Sequence, residues 1–125
     1  MSARKPEIQA AYEQFKHTYS GSCPFCDVSS RNPNQIIETI GGIAVLRNDF
    51  PYHEWDNFTV DDHLMAVPVR HVGSFDEFTE DEARNFFETI KKYEANHYSL
   101  YSRAPSNLAR SVAHLHTHLI KPIGY

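Results

Sequence analysis

The sequence predicts one domain of mixed helices and strands, and three observations carry that prediction. Apolar residues recur at helical spacing in two stretches, over 6–19 and again over 80–96. Between and after them lie short runs rich in β-branched residues, punctuated by Gly, Pro and Asn. Finally, Ser111-Val112-Ala113-His114-Leu115-His116-Thr117-His118-Leu119-Ile120 places three histidines two residues apart, so a strand over 111–120 projects all three imidazoles from one face.

Each element has its own signal. Ile8, Tyr12, Phe15 and Tyr19 form one face of a short amphipathic helix over 6–19, and Pro6 suits its first turn. Ser20-Gly21-Ser22-Cys23-Pro24-Phe25-Cys26 breaks it into a knuckle-like loop, and Arg31-Asn32-Pro33-Asn34 reads as a turn. Residues 35–40 and 43–47 flank Gly41-Gly42 as a β-hairpin, and Pro51 closes the second strand because it cannot donate to a ladder. A short strand over 57–60, a turn at Asp61-Asp62 and a charge-free strand over 63–69 follow. Thr79-Glu80-Asp81-Glu82 is a capping box opening a central helix to about Asn96, with Phe86, Phe87, Ile90 and Tyr93 on one side. A strand over 98–101 and a Pro-containing loop over 103–107 then lead to the histidine strand. The expected organisation is a helical extension over 1–19 and one compact domain over 20–125.

Composition narrows the function. A net charge of -4 argues against coating a nucleic-acid polymer but leaves room for a local anion site. No run approaches the roughly 18 apolar residues of a membrane span, and the N-terminus lacks an apolar signal core, so no membrane partner and a cytoplasmic location are expected. Cys23 and Cys26 are the only cysteines. Their C-x-x-C spacing reads as a metal clip or redox pair, or as two reduced thiols in a packed loop.

The histidine cluster admits two chemistries. Neutral imidazoles can supply a nucleophile, an acid and a donor to an anion, a set suited to phosphorus chemistry. His-x-His on a strand is also a common zinc arrangement. Spacing leaves both open. By itself, His63 at the head of a strand reads more simply as a surface residue than as a catalytic one.

Taken together, these segments resemble the histidine-triad (HIT) family of nucleotide hydrolases and transferases. The resemblance rests on the 111–120 stretch, on Cys23-Pro24-Phe25-Cys26, and on His63-Leu64-Met65-Ala66-Val67-Pro68-Val69-Arg70-His71-Val72, in the family's order and covering roughly 23–122. It implies an α+β fold, an antiparallel sheet of about five strands with the 80–96 helix on one face, often paired as a homodimer. It implies that His116 attacks the α-phosphorus of a nucleotide and carries the nucleotidyl group. His118 then donates to the phosphate or leaving group, His114 fixes the strand and its neighbour's tautomer, Ser111 bonds a phosphate oxygen, and His63 lines the same pocket. Asp49, with Asn48 equally placed, stands where the family binds ribose. Cys23, Cys26, His71 and His114 match the set that holds structural zinc (Zn2+) in members that keep the cysteines.

Two departures stand out. Arg103-Ala104-Pro105 and Ala109-Arg110 replace the family's glycine-containing phosphate loop, leaving Asn107 or Arg110 as substitutes. Asn48-Asp49-Phe50-Pro51-Tyr52 is closer to the phosphorylase and uridylyltransferase branches, whereas His118 in the third triad position favours hydrolysis. The resemblance therefore implies a nucleotidyl hydrolase acting on a dinucleoside polyphosphate or nucleoside phosphoramidate. A transferase or phosphorylase, and a nucleotide-binding module with little turnover, are the alternatives.

Overall fold

In the computed structural model, which describes residues 3–124, three helices and six strands follow in chain order. They are α1 (Pro6–Thr18), α2 (Val28–Arg31), β1 (Ile36–Ile40), β2 (Ile43–Arg47), β3 (Glu54–Trp55), β4 (Phe58–Pro68), α3 (Glu80–Glu94), β5 (Ser99–Tyr101) and β6 (Thr117–Pro122). The antiparallel sheet runs β1-β2-β4-β6-β5, and the two-residue β3 folds back on the start of β4. That short hairpin is the strand beyond the expected five. Gly41 sits at φ +57 in the β1–β2 turn, a conformation that glycine adopts without the penalty a Cβ brings.

β4 organises the rest. It pairs with β2 on one side and β6 on the other, and its side chains alternate between two layers. Leu64 and Ala66 join Ile43, Val45, Leu119 and Tyr93 beneath α3. Met65 and Val67 join Val28, Ala44 and Leu46 on the opposite face, capped by Phe25 and Ile36. His63, Met65 and His118 share that second face, so the sheet separates the α3 core from the histidines.

Two sequence expectations give way here. Asp61-Asp62 is not a turn: β4 continues through it, with a register irregularity between Val60 and Asp62. Asp62 is held there as acceptor for the His63 amide at 3.1 Å and for the Tyr98 hydroxyl at 2.5 Å. The histidine strand also starts late, at Thr117, so His114 and His116 precede it and the three imidazoles do not share one strand face. The β4–β6 ladder ends at Ala66 and Thr117, and beyond it the Pro68 carbonyl accepts from a histidine ring instead of from a backbone amide.

The capping box forms as read. Thr79 accepts from the Glu82 amide at 3.1 Å, and Glu82 accepts from the Thr79 amide at 2.8 Å. Arg70, just past β4, completes a clamp on the same carboxylate and is the main cause of its pKa falling to about 2, with the Thr79 amide second. Thr79→Ala is expected to cost about 1 kcal/mol, the usual value of such a cap, read as a lower urea midpoint with unchanged slope. Among the described residues no helix is long and apolar enough to cross a membrane.

Candidate active site

The metal-type cluster forms where the knuckle meets the turn after β4. Cys23, Cys26, His71 and His114 bring one ligand atom each to within 4.8 Å of all the others. The Cys23 Sγ–His114 Nδ1 and Cys26 Sγ–His114 Nδ1 distances are both 3.5 Å, Cys26 Sγ–His71 Nδ1 is 3.2 Å, and the two Nδ1 atoms are 3.1 Å apart. A tetrahedral zinc with bonds of about 2.3 Å to sulfur and about 2.0 Å to nitrogen requires ligand edges of roughly 3.3–3.8 Å, close to what is seen. His114 Nε2 donates to the Pro68 carbonyl at 2.7 Å, which fixes the proton there and leaves the Nδ1 lone pair turned into the cluster. Two sulfurs and two imidazole nitrogens can therefore hold a metal as a closed set.

The remaining histidines form a second centre. His116 Nδ1 lies 3.0 Å from the His114 carbonyl and must donate to it, so its lone pair resides on Nε2. The fully buried His114 thus anchors the backbone that orients His116. A second tautomer chain starts at a backbone amide, which can only donate. Tyr52 N–H bonds His63 Nδ1 at 3.0 Å, closer than the Asn48 amide nitrogen approaches Nε2 at 3.3 Å, so the nearer donor sets the tautomer and His63 carries its proton on Nε2. That proton goes to His118 Nδ1 at 2.9 Å, and neutral His118 then presents Nε2–H outward. His63 is consequently no surface residue: it is 3% exposed and lies behind His118.

Burial is the largest cause of lowered basicity in all these rings. It takes His118 to about 2, helped by His63, His116, Arg103 and Arg4, and His63 to about 3, helped by Arg4 and His116. His116 is lowered too, by burial and by Arg110 and Arg103 against the opposing bond to the His114 carbonyl. The centre is neutral at pH 7. Because the folded values of His63 and His118 lie below the unfolded 6.5, the unfolded chain takes up more protons as acid is added. Stability is therefore full above about pH 6.5 and declines as pH falls towards about 3. Denaturant midpoints at about pH 7.5 and about pH 5 should show the fall. A His63→Gln variant should flatten part of it, which separates this effect from proton competition at the cysteines; an identical slope would sink the assignment.

These groups open into a cleft whose walls include Phe25, Asp49, Phe50, Tyr52, Met65, Ser111, Arg103, His116 and His118, with α1 across it. The helix set apart in the sequence as an extension packs on this cleft. Tyr12 and Phe15 lie 5.2 and 5.3 Å from the Phe50 ring, and the Tyr12 hydroxyl is hydrogen-bonded to Ser111 Oγ. Arg4 donates to the Phe50 carbonyl at 2.6 Å and covers the Tyr52 ring at 4.9 Å. Asn48 accepts from the Phe50 amide at 2.8 Å and brings its nitrogen to 3.3 Å from His63 Nε2. Asp49 faces the cleft and accepts from Asn32 at 3.1 Å, with Arg31 at 4.0 Å.

The two candidates from the divergent loop sit elsewhere. Asn107 caps its own turn by accepting from the Ala109 amide at 2.8 Å. Arg110 directs its guanidinium at backbone, to the Gly73 and Ala113 carbonyls at 2.6 Å and to Val112 at 3.2 Å. Neither lines the cleft, and the Arg110 guanidinium is taken up by backbone carbonyls instead. The cation that does reach it from this loop is Arg103, with Nη1 3.4 Å from His118 Nε2 and 3.3 Å from the Tyr52 hydroxyl.

No family model matches the chain, and no curated protein matches its sequence. Solved structures do match in shape. A HIT family hydrolase from Clostridium thermocellum aligns over 86% of this chain and 97% of its own at 19% identity, with a TM-score of 0.61. A HIT family hydrolase from Legionella pneumophila aligns over 78% and 90% at 21% identity, with a TM-score of 0.57. The chain has the histidine-triad fold. A hypothetical histidine triad nucleotide-binding protein from Sulfolobus tokodaii shares it over 82% of this chain and 71% of its own, at 17% identity and a TM-score of 0.59. Within the histidine-triad fold, the α1 wall and Arg103 are the cleft features that the sequence motifs did not mark.

Proposed function

We propose that the protein is a HIT-family nucleotidyl hydrolase, acting on the α-phosphate of a dinucleoside polyphosphate or nucleoside phosphoramidate. The observation that carries this reading is the pair of opposed tautomers: His116 offers a neutral Nε2 lone pair and His118 offers Nε2–H to the same cleft. Nε2 of His116 attacks phosphorus, the bond to the leaving group breaks, and the resulting nucleotidyl-histidine is hydrolysed by water. The His118 proton is available to the departing atom. Ser111 and Asp49 line the cleft where phosphate and ribose are expected, and the similar folds include proteins described as HIT family hydrolases and as nucleotide-binding. Zinc held by Cys23, Cys26, His71 and His114 would be structural, since a closed four-ligand set leaves no position for substrate.

Rapid acid-free quenching after mixing with a nucleotide labelled at the α-phosphorus should trap label on His116, lost on mild acid treatment. Absence of label together with absence of turnover would refute the reading. The Asn48–Tyr52 element favours a second acceptor, inorganic phosphate. Diadenosine tetraphosphate supplied with and without phosphate separates the two, because hydrolysis releases AMP in both arms whereas a phosphorylase releases ADP only when phosphate is present.

A further inference from the structure

We propose that Arg103 makes this site selective for substrates whose leaving group is a phosphate anion, over substrates that release ammonia or an amine. The inference rests on the nucleotidyl-transfer reading above and assigns a specificity to it.

β5 pairs Tyr101 with His118, and two residues later the chain sets the half-buried Arg103 beside the same histidine. Its guanidinium meets His118 Nε2 at 3.4 Å, the Tyr52 hydroxyl at 3.3 Å and the Tyr101 ring at 5.2 Å, and the charge near it is a second cation, Arg4, which covers the Tyr52 ring. Other cations around the cleft are occupied. Arg4 bonds the Phe50 carbonyl and Gln9, Arg31 bonds Pro24 and Gln35 and faces Asp49, and Lys16 pairs with Glu13. Among the described residues no carboxylate lies within ion-pair distance of Arg103. A partly desolvated cation without a counter-charge is costly, and a bound anion is the partner that would relieve it.

The tautomer chain sharpens this. With Tyr52 N–H fixing His63 and His63 fixing His118, the outward nitrogen of His118 bears hydrogen. Arginine only donates. Two N–H groups therefore converge at 3.4 Å with no acceptor between them, an arrangement made for an oxyanion. When the His116 Nε2–phosphorus bond forms, the bond from phosphorus to the leaving oxygen breaks and that oxygen keeps the electron pair. His118 and Arg103 share the charge that develops on the departing phosphate. An ammonia leaving group instead must gain a proton and carries no negative charge away, so Arg103 gives it nothing and disfavours its protonation.

The test compares kcat/KM for diadenosine tetraphosphate with that for adenosine phosphoramidate, in wild type, Arg103→Ala and Arg103→Lys. Wild type should prefer the polyphosphate. Arg103→Ala should shrink that preference by about 10²-fold, the usual cost of one oxyanion donor, and Arg103→Lys should restore part of it. If both substrates turn over and Arg103→Ala changes their ratio less than about threefold, the assignment is overturned while nucleotidyl transfer stands. If wild type turns over neither, nucleotidyl transfer itself fails and this specificity with it.

Discussion

His116→Ala is expected to lower kcat on a nucleotide substrate by at least about 10³-fold, equivalent to about 4 kcal/mol of transition-state stabilisation. The expectation follows from where the lone pairs are. His116 is the one histidine of the three whose Nε2 is both unprotonated and turned to the cleft, because its Nδ1 is committed to the His114 carbonyl. His118 cannot replace it: its own Nδ1 is committed to His63, and its free nitrogen bears the proton. The loss should appear in kcat and kcat/KM together, since Phe25, Asp49 and Tyr52 still line the cleft and nucleotide binding should persist. His116 also lies outside the cysteine cluster, so the thermal midpoint should stay within a few degrees of wild type. Replacing His116 with Gly and adding imidazole tests the same point from the other side, because a nucleophile restored in solution should recover some turnover. Turnover that survives His116→Ala unchanged would end the assignment of His116 as the nucleophile and, with it, the nucleotidyl-histidine intermediate.

Local chemistry made the parts of this fold legible where one short segment decides the outcome. The β1–β2 hairpin needs a left-handed residue and has Gly41; the α3 start needs reciprocal caps and has Thr79 and Glu82. The four-residue cluster was readable only through the family resemblance, since spacing by itself offered Cys23 and Cys26 as a clip and did not name His71 and His114 as its partners. What spacing could not show was the end of a ladder. Alternation over 111–120 is compatible with a strand throughout, yet the partner strand ends at Pro68, whose carbonyl bonds the His114 ring, so pairing begins only at Thr117. The same limit hid Arg103. Its place beside His118 depends on the Tyr101–His118 register between two segments separated by the whole divergent loop, while Arg110, closer in sequence to the triad, folds back on its own backbone. α1 was legible as a helix but not as a cleft wall. None of its residues is buried, and its role rests on contacts of Tyr12 and Phe15 with Phe50 far along the chain.

A strong chelator is expected to have the second large effect. Protein purified without a metal-binding tag is expected to carry one zinc per chain by elemental analysis, and a strong chelator or Cys26→Ser should lower the thermal midpoint by at least about 10 °C, roughly 2–3 kcal/mol for a chain of this length. The cluster ties together three segments: the knuckle of Cys23 and Cys26, the turn at His71 and the approach to β6 at His114. Unlike a zinc finger, the domain keeps two apolar layers across its sheet, so loss of metal should loosen one end rather than unfold the chain. Activity should fall with it, for a definite reason. The His114 carbonyl holds the proton of His116 Nδ1, and His114 is itself held between the cluster and the Pro68 carbonyl. Freed from the metal, its ring no longer fixes that carbonyl, and His116 loses the bond that keeps Nε2 unprotonated and aimed. A drop of about 10–100-fold in kcat, the scale of lost support to a site's ligands, with nucleotide binding less affected, is the expected signature. Well below one equivalent of metal, with a midpoint indifferent to chelator, would show that the four side chains are a packed thiol–imidazole cluster and that His116 is oriented by the protein alone.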